Sequence, residues 1–128
     1  MRREEKRYVV QAYGHSVGDR VLKLFSVVLS DSVKRESNWV ARYGGEEFLI
    51  CLPGANLESA CKIAETMRKA IEDEVIISEN KSVKITASFG VHSIESSEGE
   101  TVRHLIECAD KALYAAKNKG RNRVEWIR

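Results

Sequence analysis

The sequence has no run of apolar residues long enough to cross a lipid bilayer. Its first residues, MRREEKRYVVQ, are charged and contain no continuous apolar segment of signal-peptide length. The three cysteines, Cys51, Cys61 and Cys108, are odd in number and widely separated, so they match neither a paired disulfide framework nor a zinc-ligand spacing. We therefore expect a cytoplasmic chain with buried, reduced cysteines and no membrane contact.

Neither sign of charge dominates, because the sequence has 21 basic and 19 acidic residues and a net charge of +2. A nucleic-acid-binding domain more often has a strong basic excess on one face, so we do not expect a nucleic-acid polymer as a partner. Balanced charge does not exclude a small phosphate-bearing ligand, since one pocket needs only two or three cations. The 128 residues fit one compact domain and contain no internal repeat, long linker or low-complexity tract.

Hydrophobic periodicity predicts an α+β fold. Helical spacing is found in three segments, residues 17–34, 57–72 and 101–120. Strand patterns are found in four segments, residues 38–43, 47–52, 83–94 and 123–127. Gly44-Gly45 predicts a hairpin between the first two strands, and Asn56 and Thr101 are candidate helix N-caps. The alternation in residues 83–94 predicts a single half-buried strand. This order favours a sandwich with helices on one or both faces of a mainly antiparallel sheet.

The segment Arg42-Tyr43-Gly44-Gly45-Glu46-Glu47-Phe48 would place two adjacent carboxylates at the tip of that hairpin. The glycines let backbone approach a ligand closely. Adjacent carboxylates repel each other unless a cation lies between them. A divalent metal bound to nucleotide phosphates would supply that cation. Taken alone, however, the segment is explained better as a solvated hairpin tip.

Two further polar clusters lie near predicted helix ends. In the first, Tyr13 to Asp19, the Asp19 carboxylate could accept two hydrogen bonds from a guanine, although, taken alone, the cluster is explained better by helix capping and a favourable interaction of Asp19 with the helix dipole. The second, Lys117 to Arg123, gathers four cations at a helix C-terminus. These cations complement the helix dipole, or they form a phosphate clamp with Lys117 as a point charge and Arg121 as a bidentate fork.

The clusters together resemble the GGDEF domain family of diguanylate cyclases in order and spacing, from Tyr13 to about Val124. Four motifs carry the resemblance: YGHxxGD at 13–19, the glutamate variant GGEEF at 44–48, TxSxGV at 86–91 and ALYxAKxxGRN at 112–122. It implies a palm-like, ferredoxin-like sheet with helices packed on its faces. On this basis residues 13–128 are a partial GGDEF domain, and residues 1–12 are a segment outside the family pattern.

The resemblance implies a transferase that condenses two GTP into the bacterial second messenger cyclic di-GMP and releases pyrophosphate. Glu46 would be the catalytic base and a metal ligand, and Glu47 would be the second ligand, for Mg²⁺ or Mn²⁺. The implied substrate-binding residues are His15, Asp19, Gly44, Gly45, Lys117 and Arg121. Each domain would hold one GTP, so catalysis in signal transduction would require a homodimer. GTP and cyclic di-GMP are the implied partners.

The chain departs from the family pattern at its front. The family's opening strand, which carries an aspartate metal ligand, has no counterpart, and Val10 stands where a guanine-reading asparagine falls. Because that strand is central in the sheet, its loss would expose two rows of backbone polar groups. Two hypotheses would repair the sheet: Lys6 to Val10 forms a substitute strand, or a second chain supplies one.

A second departure concerns product inhibition, for which the family uses an RxxD motif before the double glycine. Here the motif stands as Arg35-Glu36-Ser37-Asn38, and asparagine replaces the charged aspartate. This predicts weakened or absent feedback by cyclic di-GMP. The departures leave an alternative open: a degenerate GGDEF module that acts as a nucleotide receptor or dimerisation element without turnover.

Overall fold

A computed structural model of the chain describes residues 7–14, 19–32, 38–44, 47–78, 81–94 and 101–127. The elements in these residues are β1 (Arg7–Gly14), α1 (Asp19–Ser32), β2 (Trp39–Gly44), β3 (Glu47–Cys51), α2 (Leu57–Asp73), β4 (Ile76–Ser78), β5 (Lys81–Val83), β6 (Ala87–Ile94), α3 (Val102–Asn118) and β7 (Val124–Ile127). Five described strands form one sheet in the order β2-β3-β1-β6-β7, and β4 pairs with β5 separately. The predicted α+β class is therefore confirmed.

Strand β1 lies in the middle of the sheet. It pairs antiparallel with β3 through Val9 to Tyr13 and with β6 over its whole length. Its tyrosine and valine residues are strong strand formers. The chain's own residues thus form the substitute strand, as the first of the two hypotheses predicted. The strand runs further than expected, because it also contains Tyr13 and Gly14 of the YGHxxGD motif.

Two hydrophobic cores form because the sheet is covered on both faces. On β3, Phe48 and Ile50 are buried in a core with α1 and α2, whereas Leu49 between them packs with α3. The ring centroids of Phe25 on α1 and Phe48 are 5.0 Å apart. This alternation follows from the two-residue period of a strand. The core residues of β3 therefore alternate between the two helical layers.

The expectation of one half-buried strand over residues 83–94 is wrong in two respects. Val83 belongs to the β4–β5 pair, and β6 begins only at Ala87. Both faces of β6 are buried, including Ser88 and His92, because α2 packs on one side and α3 on the other. The polar residues Lys84, Thr86 and Ser88 predicted a solvated face; Lys84 is exposed, but Ser88, which lies in β6, is buried.

Helix α3 approaches β6 closely at Gly90. A Cβ atom there would lie 2.2 Å from the Leu113 backbone nitrogen and 2.3 Å from the Ala109 carbonyl oxygen. Only glycine permits this approach, which fixes the height of α3 above the sheet. The helix begins as predicted, because the Thr101 hydroxyl accepts a hydrogen bond from the His104 amide. Asn56 likewise caps α2 by accepting from the Ser59 amide.

The cysteines differ from the expectation of full burial. Cys51, Cys61 and Cys108 are free thiols and all are half-buried. Partial burial raises the pKa of the Cys61 thiol, because burial disfavours the thiolate. In the described residues, every helix is too short or too polar to span a bilayer.

Candidate active site

The β2–β3 hairpin carries the GGEEF segment. Gly44 is the last residue of β2 and Glu47 the first residue of β3, and the two pair directly after a register shift that follows Arg42. The predicted hairpin is thus confirmed. Gly45 and Glu46, the residues between these two strand ends, lie outside the described part of the chain.

Glu47 faces the last turn of α3. The Lys117 ammonium nitrogen lies 3.8 Å from a Glu47 carboxylate oxygen, and the two side chains are 26% and 30% exposed. Two motifs that are far apart in the sequence therefore meet at one point. A partly exposed pair at this distance contributes at most about 1 kcal/mol to stability. Both groups remain accessible to a ligand, so the contact fixes position more than it stabilises the fold.

The chain reverses sharply where α3 ends. The Arg121 amide donates to the Ala116 carbonyl, and the Lys119 amide to the Ala115 carbonyl, at 2.9 and 3.0 Å. Gly120 has φ 121°, as expected for a glycine after a helix. The next two residues, Arg121 and Asn122, are also left-handed, with φ 64° and 47°. Arg121 is exposed at this turn, one residue past the stop that Gly120 predicted.

A polar network that the sequence did not reveal holds this turn. The Asn122 amide nitrogen donates to the Ser88 hydroxyl at 3.1 Å. The Asn122 side chain donates to a Glu72 carboxylate oxygen at 2.5 Å and accepts from the Arg68 guanidinium at 2.9 Å. Arg68 also pairs with Glu72 at 3.2 Å and with Glu65. The turn after α3 is thereby tied to α2 and to β6.

The contacts in this network favour the charged forms of Glu72 and Arg68. The pKa of the Glu72 carboxyl lies below its ordinary value, chiefly because the Asn122 amide donates to it and also because Arg68 and Lys69 are close. The pKa of Arg68 is raised, mainly by its hydrogen bond to Glu65. The sequence shows α2 acids and bases spaced three and four residues apart, which is typical of a solvated helix face. The contact with Asn122 could not be read from that spacing.

The opposite side of the site is poorer in ligands. The β1–β3 register places Tyr13 opposite Glu47, and β1 contains no aspartate or glutamate. In the part of the chain that the structure describes, no three His, Cys, Asp or Glu residues are grouped so that they could hold a metal ion. Glu47 fits an Mg²⁺ ion that takes most of its ligands from nucleotide phosphates. It does not fit an ion held by the described side chains alone.

Several predicted site residues fall at or beyond the described boundaries. His15 and Arg35 lie outside the described residues. Asp19 is the first residue of α1, in agreement with its predicted place at a helix start. Asn38 is half-buried, and its side-chain oxygen is buried with no hydrogen-bond partner in the described residues. Val10 pairs with Ile50 and Val91 in the centre of the sheet.

Comparison with known proteins gives the same family, over a region that begins six residues before Tyr13. The family profile described as "Diguanylate cyclase, GGDEF domain" matches residues 7–123. The sequence is 40% identical to diguanylate cyclase A of Treponema denticola over 112 residues, covering 88% of this chain and 30% of that protein. It is 41% identical to diguanylate cyclase VdcA of Vibrio cholerae over 116 residues, covering 88% and 33%. The chain therefore spans about a third of the length of these relatives.

Solved structures agree with the fold. The GGDEF domain of DgcB from Caulobacter crescentus, in complex with c-di-GMP, superposes with a TM-score of 0.87 at 26% identity, covering 95% of this chain and 78% of that one. The active GGEEF domain of a diguanylate cyclase from Vibrio cholerae gives a TM-score of 0.84 at 25% identity, covering 96% and 83%. The resemblance drawn from four motifs is thus confirmed. The predicted domain start at residue 13 stays a prediction. The chain belongs to the GGDEF domain family of diguanylate cyclases.

Proposed function

We propose that this chain is the output domain of a diguanylate cyclase, which condenses two GTP into cyclic di-GMP. The observation that carries the proposal is the contact between Lys117 and Glu47, because it joins a phosphate-binding cation to the hairpin of the GGEEF segment. In each half-reaction a ribose 3′-oxygen bonds to the α-phosphorus of the other GTP. The bond from that phosphorus to the β-phosphate bridging oxygen breaks, and pyrophosphate leaves.

The phosphate groups would be held by the end of α3. Lys117 supplies a point charge, and Arg121, exposed at the turn, supplies a planar fork suited to phosphate oxygens. The glycines at 44 and 45 would let the hairpin backbone approach the nucleotide. This division leaves the protein mainly with positioning and charge stabilisation, as in other phosphoryl transfers.

A divalent metal, Mg²⁺ or Mn²⁺, would be held by Glu46 and Glu47 together with phosphate oxygens. When bound, it neutralises phosphate charge and makes the 3′-hydroxyl easier to deprotonate. Glu46 would accept the proton of that hydroxyl. The donor set supports a metal that arrives with the nucleotide, because no group of three His, Cys, Asp or Glu residues in the described part of the chain could hold the ion by itself.

The guanine base would be read by His15 and Asp19 at the start of α1. Since one domain would hold one GTP, two copies must face each other so that each 3′-hydroxyl reaches the other α-phosphate. We therefore propose a homodimer, at least during turnover. We also propose a cytoplasmic site of action, where GTP is available.

Feedback by the product would be weak in this chain. The product-inhibition motif would use Arg35 and residue 38, and Asn38 has only one side-chain oxygen acceptor. That oxygen is buried, so it is poorly placed to receive a ligand at the surface. Cyclic di-GMP added at micromolar concentration should leave turnover nearly unchanged. Strong inhibition that disappears in Arg35→Ala would contradict this proposal.

A degenerate module is the second candidate, and one observation favours it. Val10 occupies the middle of β1 between two apolar neighbours, in a strand without a carboxylate. Such a strand can support the sheet but supplies neither a metal ligand nor a guanine hydrogen bond. The chain would then bind nucleotide or mediate dimerisation without turnover.

One experiment separates the candidates. The purified chain is incubated with GTP and Mg²⁺, and cyclic di-GMP is quantified by chromatography for the wild type and for Glu46→Ala. Glu58→Ala is the matched control, because Glu58 is an exposed acid on α2 whose partner is Lys62. Product in the wild type and Glu58→Ala, but not in Glu46→Ala, supports the cyclase.

If no product forms, the same sample is titrated calorimetrically with GTP and Mg²⁺. Binding without product would replace the cyclase by the receptor. Neither binding nor product would overturn the cyclase and the nucleotide receptor, and would leave only the dimerisation element. Equal product from Glu46→Ala and the wild type would remove Glu46 from the proposed chemistry.

A further inference from the structure

We propose that Asn122, Glu72 and Arg68 are positioning residues that hold Arg121 in the conformation that binds the nucleotide phosphates. The inference rests on the proposed function for the phosphate ligand, but the positioning itself can be measured without any ligand. It gives a role to Arg68 and Glu72 on α2, a helix that contributes none of the predicted site residues.

The starting observation is backbone strain at the turn. Arg121 and Asn122 have φ 64° and 47°, and both carry a Cβ. Asparagine tolerates the left-handed region, whereas arginine has no side-chain feature that favours it. A non-glycine residue in this region is strained, and the conformation persists only when surrounding contacts determine it. Arg121 therefore needs external bracing to remain in this conformation.

The bracing comes through the neighbouring residue. Asn122 uses its backbone amide on Ser88, its side-chain amide on Glu72 and its side-chain oxygen on Arg68. These three contacts reach β6 and α2, which are both parts of the rigid core. Asn122 is therefore fixed in space from two directions, and the peptide that joins it to Arg121 is fixed with it.

The network is built to be rigid. The Arg68 side chain is only 14% exposed and pairs with both Glu65 and Glu72. Hydrogen bonds between charged partners are stronger than neutral ones, particularly where solvent is partly excluded. The Glu72 carboxylate thus accepts hydrogen bonds from Arg68 and Asn122 on one oxygen and from Lys69 on the other, and these contacts set its orientation. A phosphate-binding arginine on such a turn loses less conformational freedom on binding than one on a mobile loop.

The first test acts on α2 alone and leaves the turn's own sequence intact. Glu72→Ala removes the acceptor of the Asn122 side chain. Asp73→Ala is the matched control, because it removes the neighbouring acid, which pairs with Lys69. Amide hydrogen exchange of Arg121 and Asn122 is measured by NMR on the nucleotide-free chain. The dissociation constant is then measured for 3′-deoxy-GTP with Mg²⁺, which lacks the attacking hydroxyl.

We expect Glu72→Ala to speed exchange at both turn amides and to weaken 3′-deoxy-GTP binding about tenfold, with Asp73→Ala close to the wild type. A second test exchanges the amide and the carboxylate between positions 122 and 72. Asn122→Asp tolerates the left-handed region but sets two carboxylates against each other, and adding Glu72→Gln restores one donor and one acceptor. The double variant should recover most of the protection and affinity that Asn122→Asp loses.

Each result has a distinct meaning. Unchanged exchange in Glu72→Ala, or equal losses in Glu72→Ala and Asp73→Ala, would overturn the positioning inference. Faster exchange with unchanged nucleotide affinity would overturn its link to phosphate binding. If the wild type binds no 3′-deoxy-GTP, the proposed function fails, and so does that link. The exchange data would then still decide whether α2 holds the turn.

Discussion

Two corners of the candidate site differ in how they are built. The cation corner consists of Lys117, Arg121 and Asn122 at the end of α3. The carboxylate corner consists of Glu47 and the strand end at Tyr13. Side chains from α2 and β6 brace the cation corner, whereas backbone pairing with β1 supports the described part of the carboxylate corner. The proposed phosphate site is therefore braced by more side-chain contacts than the described part of the proposed metal site.

This difference shows that a strand can fill its place in the sheet without carrying side chains that bind a metal. Strand β1 fills the centre of the sheet and completes two ladders of hydrogen bonds, which removes the exposed edges that its absence would create. The ladder depends only on backbone groups, so almost any strand-forming sequence satisfies it. Metal binding depends on side chains, and residues 7–14 supply no carboxylate. A complete sheet is therefore compatible with an incomplete set of metal ligands.

The largest expected effect comes from moving the whole cation corner. In Gly90→Ala the new methyl group would collide with the backbone of α3 at Leu113 and Ala109. Rigid backbone cannot move aside as a side chain can, so we expect a loss of about 3 kcal/mol or more in the free energy of unfolding. Urea denaturation measures it. Gly54→Ala is the control. A Cβ at Gly54 would meet open space, so only the strain of an alanine at φ 83° should lower the stability, by about 1 kcal/mol. Similar losses in both variants would contradict the close approach of α3.

The next largest effect concerns Lys117 within an intact fold. Lys117→Ala should weaken 3′-deoxy-GTP binding about thirtyfold, because a charged contact to phosphate is lost. Lys119→Ala removes the same charge two residues later, where the ammonium pairs with Glu125 at 3.3 Å. It should change the affinity less than threefold. Isothermal titration calorimetry provides both values, and equal losses would mean that the helix end attracts nucleotide only through its overall charge.

The carboxylate corner can be strengthened instead of weakened. Residues directly opposite in an antiparallel pair share one face, so Tyr13→Asp would add a carboxylate beside Glu47. The Mg²⁺ concentration required for half-maximal binding of 3′-deoxy-GTP should fall about tenfold, since each added carboxylate favours the ion. Tyr13→Asn introduces a side chain of the same size as aspartate but without the charge, and it should leave that Mg²⁺ concentration unchanged. An equal Mg²⁺ requirement in the two variants would show that this corner does not receive the metal.

The sequence predicted the elements well where one signal determined them. Asn56 and Thr101 were recognised as caps, and the glycine pair at 44 and 45 as a hairpin, because each depends on a few adjacent residues. The β6 strand was misjudged because Ser88 alternates with apolar residues, as Lys84 and Thr86 do, and so looks like a solvent-facing residue, although it is buried. Burial by a distant helix leaves no trace in local periodicity.

The candidate site divides in the same way. Lys117 and Glu47 were found from motifs, and their contact follows once the sheet is assembled. The network around Asn122 was missed because it joins residues about fifty positions apart, and its α2 members look like ordinary surface ion pairs. An asparagine two residues after a glycine at a helix end was its one visible signal, since asparagine is enriched in left-handed turns.

The smallest expected effect is a pH dependence of the cation corner. The pKa of the Glu72 carboxyl is lowered from an ordinary value of 4.5, chiefly by the Asn122 hydrogen bond. A lowered pKa in the folded state means that the carboxylate stabilises the network above the ordinary value and that this contribution is lost as the pH falls through the folded value.

Protection of the Arg121 and Asn122 amides, corrected for intrinsic exchange, should therefore be constant near neutral pH and decline by a few-fold below about pH 4.5. The decline should be absent in Glu72→Gln, which has no titrating group at this position. Amides inside α3, such as that of Leu113, serve as the internal reference for loss of the whole fold at low pH. A decline shared by these amides would indicate general acid unfolding, and protection that rises as the pH falls would contradict the ionised Glu72 as the brace. The expected decline would show that the cation corner is held in place by the Glu72 carboxylate, which binds no metal.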